Sequence, residues 1–176
     1  MYKFLITLII FLIINPAFGA EYKYILNESY INSIYDPAKV FFSGTDISVL
    51  KEAQGVILRF EIKNPEDEYK HLSENTLCKI TQVEYFLAKI KNFVIIEVHT
   101  DNSSKRRQNL LKNWEISAVI ANNIELYVYK TGEGLNRDRV ISIGYGEFLP
   151  QKNTPNNGGK FNNRVDIIIL CNINGD

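Results

Sequence analysis

The chain is poor in the residues that usually carry chemistry. Its 176 residues include only two cysteines, Cys78 and Cys171, and two histidines, His71 and His99, each pair far apart in the chain. A structural or catalytic metal centre needs several such ligands at close spacing, so no metal is expected. No motif suggests a Ser-His-Asp or Cys-His arrangement, and the chain is therefore not expected to be an enzyme or to need a cofactor. Net charge is missing as well: Lys plus Arg and Asp plus Glu are both 20. Proteins that neutralise nucleic-acid phosphates carry a basic excess, so no nucleic-acid partner is expected. Repeats and low-complexity linkers are absent too. What is present is a 45% share of hydrophobic residues with 23% charged, which suits one ordinary domain with a real core and excludes a disordered chain.

Long apolar runs are also lacking, with one exception. Lys3 opens the chain with positive charge, Phe4 to Ile14 is apolar except for Thr7, Asn15-Pro16 breaks the run, and Ala17-Phe18-Gly19-Ala20 supplies small residues. This is the order of a secretory signal peptide, read here as residues 1–20 with cleavage after Gly19. The apolar stretch is about half of the roughly twenty residues that a membrane span needs, which disfavours the rival reading, an uncleaved anchor. No cysteine sits near the cleavage position, so a lipid anchor is not indicated. Export makes Cys78 and Cys171 a candidate disulfide, with two buried thiols as the alternative.

The mature chain divides at Gly55. Residues 21–54 form an N-terminal extension of undecided role: Asp36-Pro37 reads as a turn, Val40-Phe41-Phe42 as a short strand, and Ser48 to Gln54 as one or two helical turns. From residue 55 to 176 the pattern is clearer. Val56 to Ile62 alternates as a strand, and Ser73 to Lys91 is a helix with Leu77, Ile80, Val83, Leu87 and Ile90 at helical spacing. Phe93 to Val98 is a second, very apolar strand. Thr100 to Lys112 is a polar loop, Asn113 to about Lys130 a second helix, Val140 to Ile143 a third strand, and Arg164 to Asn172 a last strand. The expected fold is a two-layer α/β (α+β) sandwich of order β-α-β-α-β-β, with helices on one face of a mixed sheet.

Four segments then carry a family pattern. They are Val98-His99-Thr100-Asp101-Asn102, Asn113-Trp114-Glu115-Ile116-Ser117, Gly144-Tyr145-Gly146-Glu147 followed by Pro150, and Asn162-Asn163-Arg164-Val165-Asp166-Ile167. In this order the set resembles the OmpA C-terminal family, and within it the MotB branch. The resemblance implies a non-catalytic peptidoglycan-binding module of the Gram-negative periplasm, associated with the cell wall or outer membrane. Its ligand would be the diaminopimelate side chain of the peptide stem, a zwitterion that needs an anion for its ammonium and donors for its carboxylate. Asp101 stands at the ammonium position, and Thr100, Asn113 and Ser117 line the implied pocket. The family's Arg for the carboxylate falls at Ile120, and the first Arg of its Arg-Arg pair is Asn163. A charge-assisted hydrogen bond contributes about 1.5–3 kcal/mol, so losing that Arg weakens binding unless helix amides near Asn113, or Arg106 and Arg107 of the loop, take over. His99 is expected to be a hydrogen-bonded structural group, Arg164 to hold the last strand by pairing with a carboxylate, and Trp114 to pack on the sheet. The implied partners are peptidoglycan and envelope proteins, with a homodimer compatible. The alternative function is a structural subunit of an envelope machine, a secretion apparatus or motor-like complex, with weak or lost wall binding.

Overall fold

A computed structural model of the chain describes residues 28–101, 112–131, 137–150 and 162–171. The signal-peptide reading of residues 1–20 lies outside them. Helix α1 is Glu28–Phe41, followed by strands β1 (Ser48–Glu52) and β2 (Gly55–Glu61), the short helix α2 (Pro65–Glu68) and helix α3 (Glu74–Leu87). Strand β3 (Val94–His99), helix α4 (Asn113–Thr131), a 3-10 turn at Arg137–Arg139, and strands β4 (Val140–Gly146) and β5 (Arg164–Leu170) complete it. The strand order is β1-β2-β5-β3-β4, with β3 and β4 parallel and every other neighbouring pair antiparallel. This is the expected mixed-sheet α+β architecture. Among the described residues no helix is long and apolar enough to cross a membrane.

Alternation along the strands builds the core. Val56, Leu58 and Phe60 of β2, Val165, Ile167 and Ile169 of β5, and Val94, Ile96 and Val98 of β3 lie in one buried cluster. The helices cover that face with Ile31 and Ile34 from α1, Ile80 and Val83 from α3, and Ile116, Ile120 and Ile124 from α4. Ser73 caps α3 by accepting a hydrogen bond from the Thr76 amide, as its position before the apolar period predicts.

The N-terminal segment corrects the sequence reading three times. Asp36-Pro37 is no turn: Pro37 lies inside α1, where a lost backbone hydrogen bond is offset by burial of Ile31, Ile34 and Ala38 against the sheet. Phe41 and Phe42 are not a strand. They end α1 and the turn after it, meeting Phe86 of α3 at ring-centroid distances of 5.6 and 5.5 Å. Ser48–Glu52 is not helical but a strand, zipped to β2 from Ser48↔Arg59 to Glu52↔Gly55. The sheet thus begins ahead of Gly55. The disulfide expectation also fails, since both cysteines are free thiols. Cys78 is exposed on α3, one position off its buried face, while Cys171 follows the end of β5.

Candidate functional site

The candidate residues meet at the C-terminal ends of β3 and β4, where α4 begins. Two glycines let the helix come this close. A Cβ on Gly144 would lie 2.1 Å from the Ala118 amide nitrogen, and Gly146 has φ of 56° with Trp114 backbone next to it. The Thr100 amide donates to the Gly146 carbonyl at 2.9 Å, and the Gly146 amide donates to Ser117 Oγ at 2.8 Å. Ser117 Oγ in turn donates to the Trp114 carbonyl, and Thr100 Oγ1 donates to the Asn113 carbonyl. Thr100 and Ser117 are fully buried, and these bonds join both strand ends to the first turn of α4.

Asp101 and Asn113 stand on that junction. Asp101 is buried, 7% exposed, and paired reciprocally with Asn163: its amide donates to Asn163 Oδ1 at 2.8 Å, and Asn163 Nδ2 donates to Asp101 Oδ2 at 3.1 Å. Asn113 Nδ2 donates to Glu147 Oε2. Glu115 folds back so that its Oε2 accepts the Lys112 amide at the start of α4. Asp101, Thr100, Asn113 and Ser117 are therefore brought together, while Arg106 and Arg107 lie outside the described residues. Ile120 is fully buried in the core. Trp114 corrects the sequence reading: it is 46% exposed instead of packed on the sheet, because α4 turns Ile116 and Ile120 inward and leaves position 114 outside.

Asn163 and Glu147 are the residues that the sequence reading passed over. The signal for Asn163 was its place in a motif that usually has Arg there. For Glu147 it was a motif position to which no role had been given.

Beside this site, on the sheet face away from the helices, lies a charged cluster. Asp166 accepts from Arg59 Nε at 2.6 Å, from Arg59 Nη2 at 2.8 Å and from Arg164 Nε at 3.0 Å. Burial works to raise the Asp166 pKa, but the Arg59 hydrogen bonds and the Arg164 and Arg59 charges hold it below its ordinary value of 3.8. Arg164 also donates to the Leu149 carbonyl, and burial lowers its pKa. It holds the last strand as expected. His99 differs from expectation. Its ring stacks on Tyr145 with centroids 5.2 Å apart, and Nε2 lies 3.4 Å from Glu97 and 3.7 Å from Asp166, yet among the described residues neither ring nitrogen has a hydrogen-bond partner. Burial, then the charge of Glu97 and a hydrogen bond to it, push the Tyr145 phenol up to about 12. Glu97, His99 and Asp166 have the spacing of a metal-binding trio. Two guanidinium groups already occupy Asp166, and their charge opposes a cation there.

Comparison with known proteins agrees with this fold. An uncharacterised protein, YtxE, of Bacillus subtilis (strain 168) is 33% identical over 97 residues, covering 54% of this chain and 40% of that protein. The chain thus spans well under half the length of that relative. Among solved structures, a MotB-like protein from Desulfovibrio vulgaris superposes with a TM-score of 0.66 at 19% identity, covering 82% of this chain and 93% of the other. The cell wall anchor of the T6SS from Pseudomonas aeruginosa superposes with a TM-score of 0.55 at 18% identity, covering 82% and 96%. At these identities the superpositions show a shared fold. The OmpA family pattern matches residues 70–164, more than half of the chain. The chain belongs to the OmpA family.

Proposed function

We propose that this domain binds peptidoglycan non-covalently and tethers an envelope protein or complex to the cell wall. The family and the cell-wall anchor among the similar folds support tethering in general. The observation that carries the reading is the placing of Asp101 at the junction of β3, β4 and α4, with its carboxylate oriented by Asn163 and with Asn113 nearby. A fixed carboxylate in a buried setting suits a primary ammonium, and the peptide stem supplies one on its diamino acid, diaminopimelate in the Gram-negative wall. Thr100 and Ser117 act in this reading by holding the junction, and Asp101 and Asn113 face the ligand. The role is binding, in an exported compartment, with Arg106 and Arg107 as further contacts from the loop.

Co-sedimentation with purified sacculi tests this. The wild-type chain should pellet with them, and Asp101→Ala should reduce the bound fraction at least tenfold while Asn122→Ala, on the outer side of α4, does not. Equal binding by wild type and Asp101→Ala would remove the pocket. A second reading, a structural subunit of an envelope machine, is favoured by one observation: Ile120 fills the core where the family resemblance places an Arg. No sacculus binding by the wild type, with binding gained by Ile120→Arg, would select it.

A further inference from the structure

We propose that a cleft at the open end of the β1–β2 pair binds a small oxyanion, a carboxylate or a phosphate, with the Lys79 ammonium as its main partner. This site is separate from the Asp101 junction and does not depend on wall binding. Strand β1 starts at Ser48, opposite Arg59, so β2 runs two residues past its edge neighbour, to Glu61. Helices α2 and α3 border the gap, and a cleft of about 920 Å³ opens there, within the size range of small-molecule sites. Ser48, Ser73 and Asn75 offer it polar side chains, and Lys79 and Arg164 line it as well.

Lys79 is only 8% exposed, yet its contacts are neutral. Its Nζ donates to the Glu61 carbonyl at 3.4 Å and lies 5.6 Å from the centroid of the Phe60 ring. That uses one of the three N–H donors of an ammonium. A lysine this buried ordinarily faces a carboxylate, because an unpaired charge is costly to withdraw from water. Among the described residues Lys79 forms no ion pair. Arg164, 5% exposed, brings a second donor to the same cleft. Its Nε and Nη2 are committed to Asp166 and the Leu149 carbonyl, while Nη1 is buried and has no partner among the described residues.

The carboxylates that line the cleft do not neutralise Lys79. Glu68 accepts from the Ser73 amide, the Ser73 hydroxyl and the Thr76 hydroxyl. Asp67 accepts from Asn64. Asp46 and Glu61 are exposed, where water and salt screen their charge. An oxyanion in the cleft gains a charge-assisted hydrogen bond from Nζ, and its further lone pairs suit the Ser73 and Asn75 side chains. A neutral ligand leaves the buried charge without a counter-ion, and a cation is repelled by it.

The test titrates the full chain at neutral pH and constant ionic strength with sodium acetate and with inorganic phosphate, chloride serving as the reference salt. Backbone amide signals are followed by NMR. Those of Ser73, Asn75 and Lys79 should shift saturably in the millimolar range. A response to acetate alone would identify a carboxylate as the ligand, to phosphate alone a phosphate, and to both an oxyanion read by its charge. Lys79→Met keeps the apolar stem and removes the charge, and it should lower the affinity at least tenfold. Lys79→Arg keeps the charge and should stay within threefold of the wild type. Lys79→Gln takes the place of the methionine variant if that side chain does not pack, with the same expected loss. No saturable shift with either anion overturns the proposal. So does a shift of unchanged affinity in Lys79→Met or Lys79→Gln, which would place the anion elsewhere.

Discussion

The two faces of the sheet are built on different physics. The face under the helices is apolar throughout, with Phe60, Leu58, Ile96, Ile167 and Ile169 all at 2% exposure or less. Residues alternating with them on the same strands, joined by Tyr145 of β4, form the Arg59–Asp166–Arg164 group and the Glu97–His99–Tyr145 group. The first face draws its stability from area removed from water, which is non-directional and tolerates exchange of one apolar group for another. The second depends on angles and distances, and a single deletion strands a buried charge. The apolar face therefore specifies which elements pack. The polar face fixes how the ends of β3, β4 and β5 stand relative to one another, and that is where the candidate site sits.

The largest effect separating the faces should come from Phe60. Phe60→Ala removes a ring that is 1% exposed and should cost about 3–5 kcal/mol. Ile141→Ala on the outer strand β4, where the side chain is 58% exposed, should change stability by less than about 0.5 kcal/mol. Urea unfolding of both variants checks this, and similar losses at the two positions would mean that β4 is covered in solution.

Next in size is Asp166→Asn. It leaves Arg59 and Arg164 without their shared carboxylate, and because Arg59 is partly exposed the loss should be about 2–4 kcal/mol, below a fully buried case. The sign of the pH dependence follows. The folded-state pKa of Asp166 is depressed, so its contribution is present above the ordinary value of 3.8 and is lost as pH falls through the lower folded value. The wild type should lose stability below about pH 4 more steeply than Asp166→Asn. Parallel acid profiles for the two would show that the arginines do not act through this carboxylate.

Sequence could read one face better than the other. Apolar period is a property of one segment, so the strands Gly55–Glu61 and Val94–His99 and the helix from Asn113 to Thr131 were legible before any tertiary contact was known. The errors came where tertiary context overrode a local signal. Pro37 marks a turn in isolation but rides in α1, because that helix buries Ile31, Ile34 and Ala38. In Ser48–Glu52 only Val49 is buried, so the edge strand shows too little alternation to be recognised. In the site, motif order located Asp101 and Asn113. The partnership of Asp101 with Asn163, 62 positions away, and the stacking of His99 on Tyr145 join residues from separate segments of the chain, which no local pattern encodes.

The smallest expected effect tests the polar face most selectively. Burial pushes the Tyr145 phenol up to about 12, helped by the charge of Glu97 and a hydrogen bond to it. A raised folded pKa means that the protonated phenol is favoured by folding. The contribution is complete below the ordinary value of 10 and is lost as pH rises through about 12. The chain has ten tyrosines, so the test is a difference measurement of tyrosinate absorbance during alkaline titration. Wild type minus Tyr145→Phe should show one step near 12, and placing Glu97→Gln behind the same difference should move that step down toward 10. Glu97→Gln removes the repelling charge but keeps a group that can accept the phenol hydrogen, so whatever elevation persists belongs to burial. A step that does not move would mean that the closed face, and not its charges, sets the environment of Tyr145. The contrast between the two faces would then rest on Arg59, Asp166 and Arg164 alone.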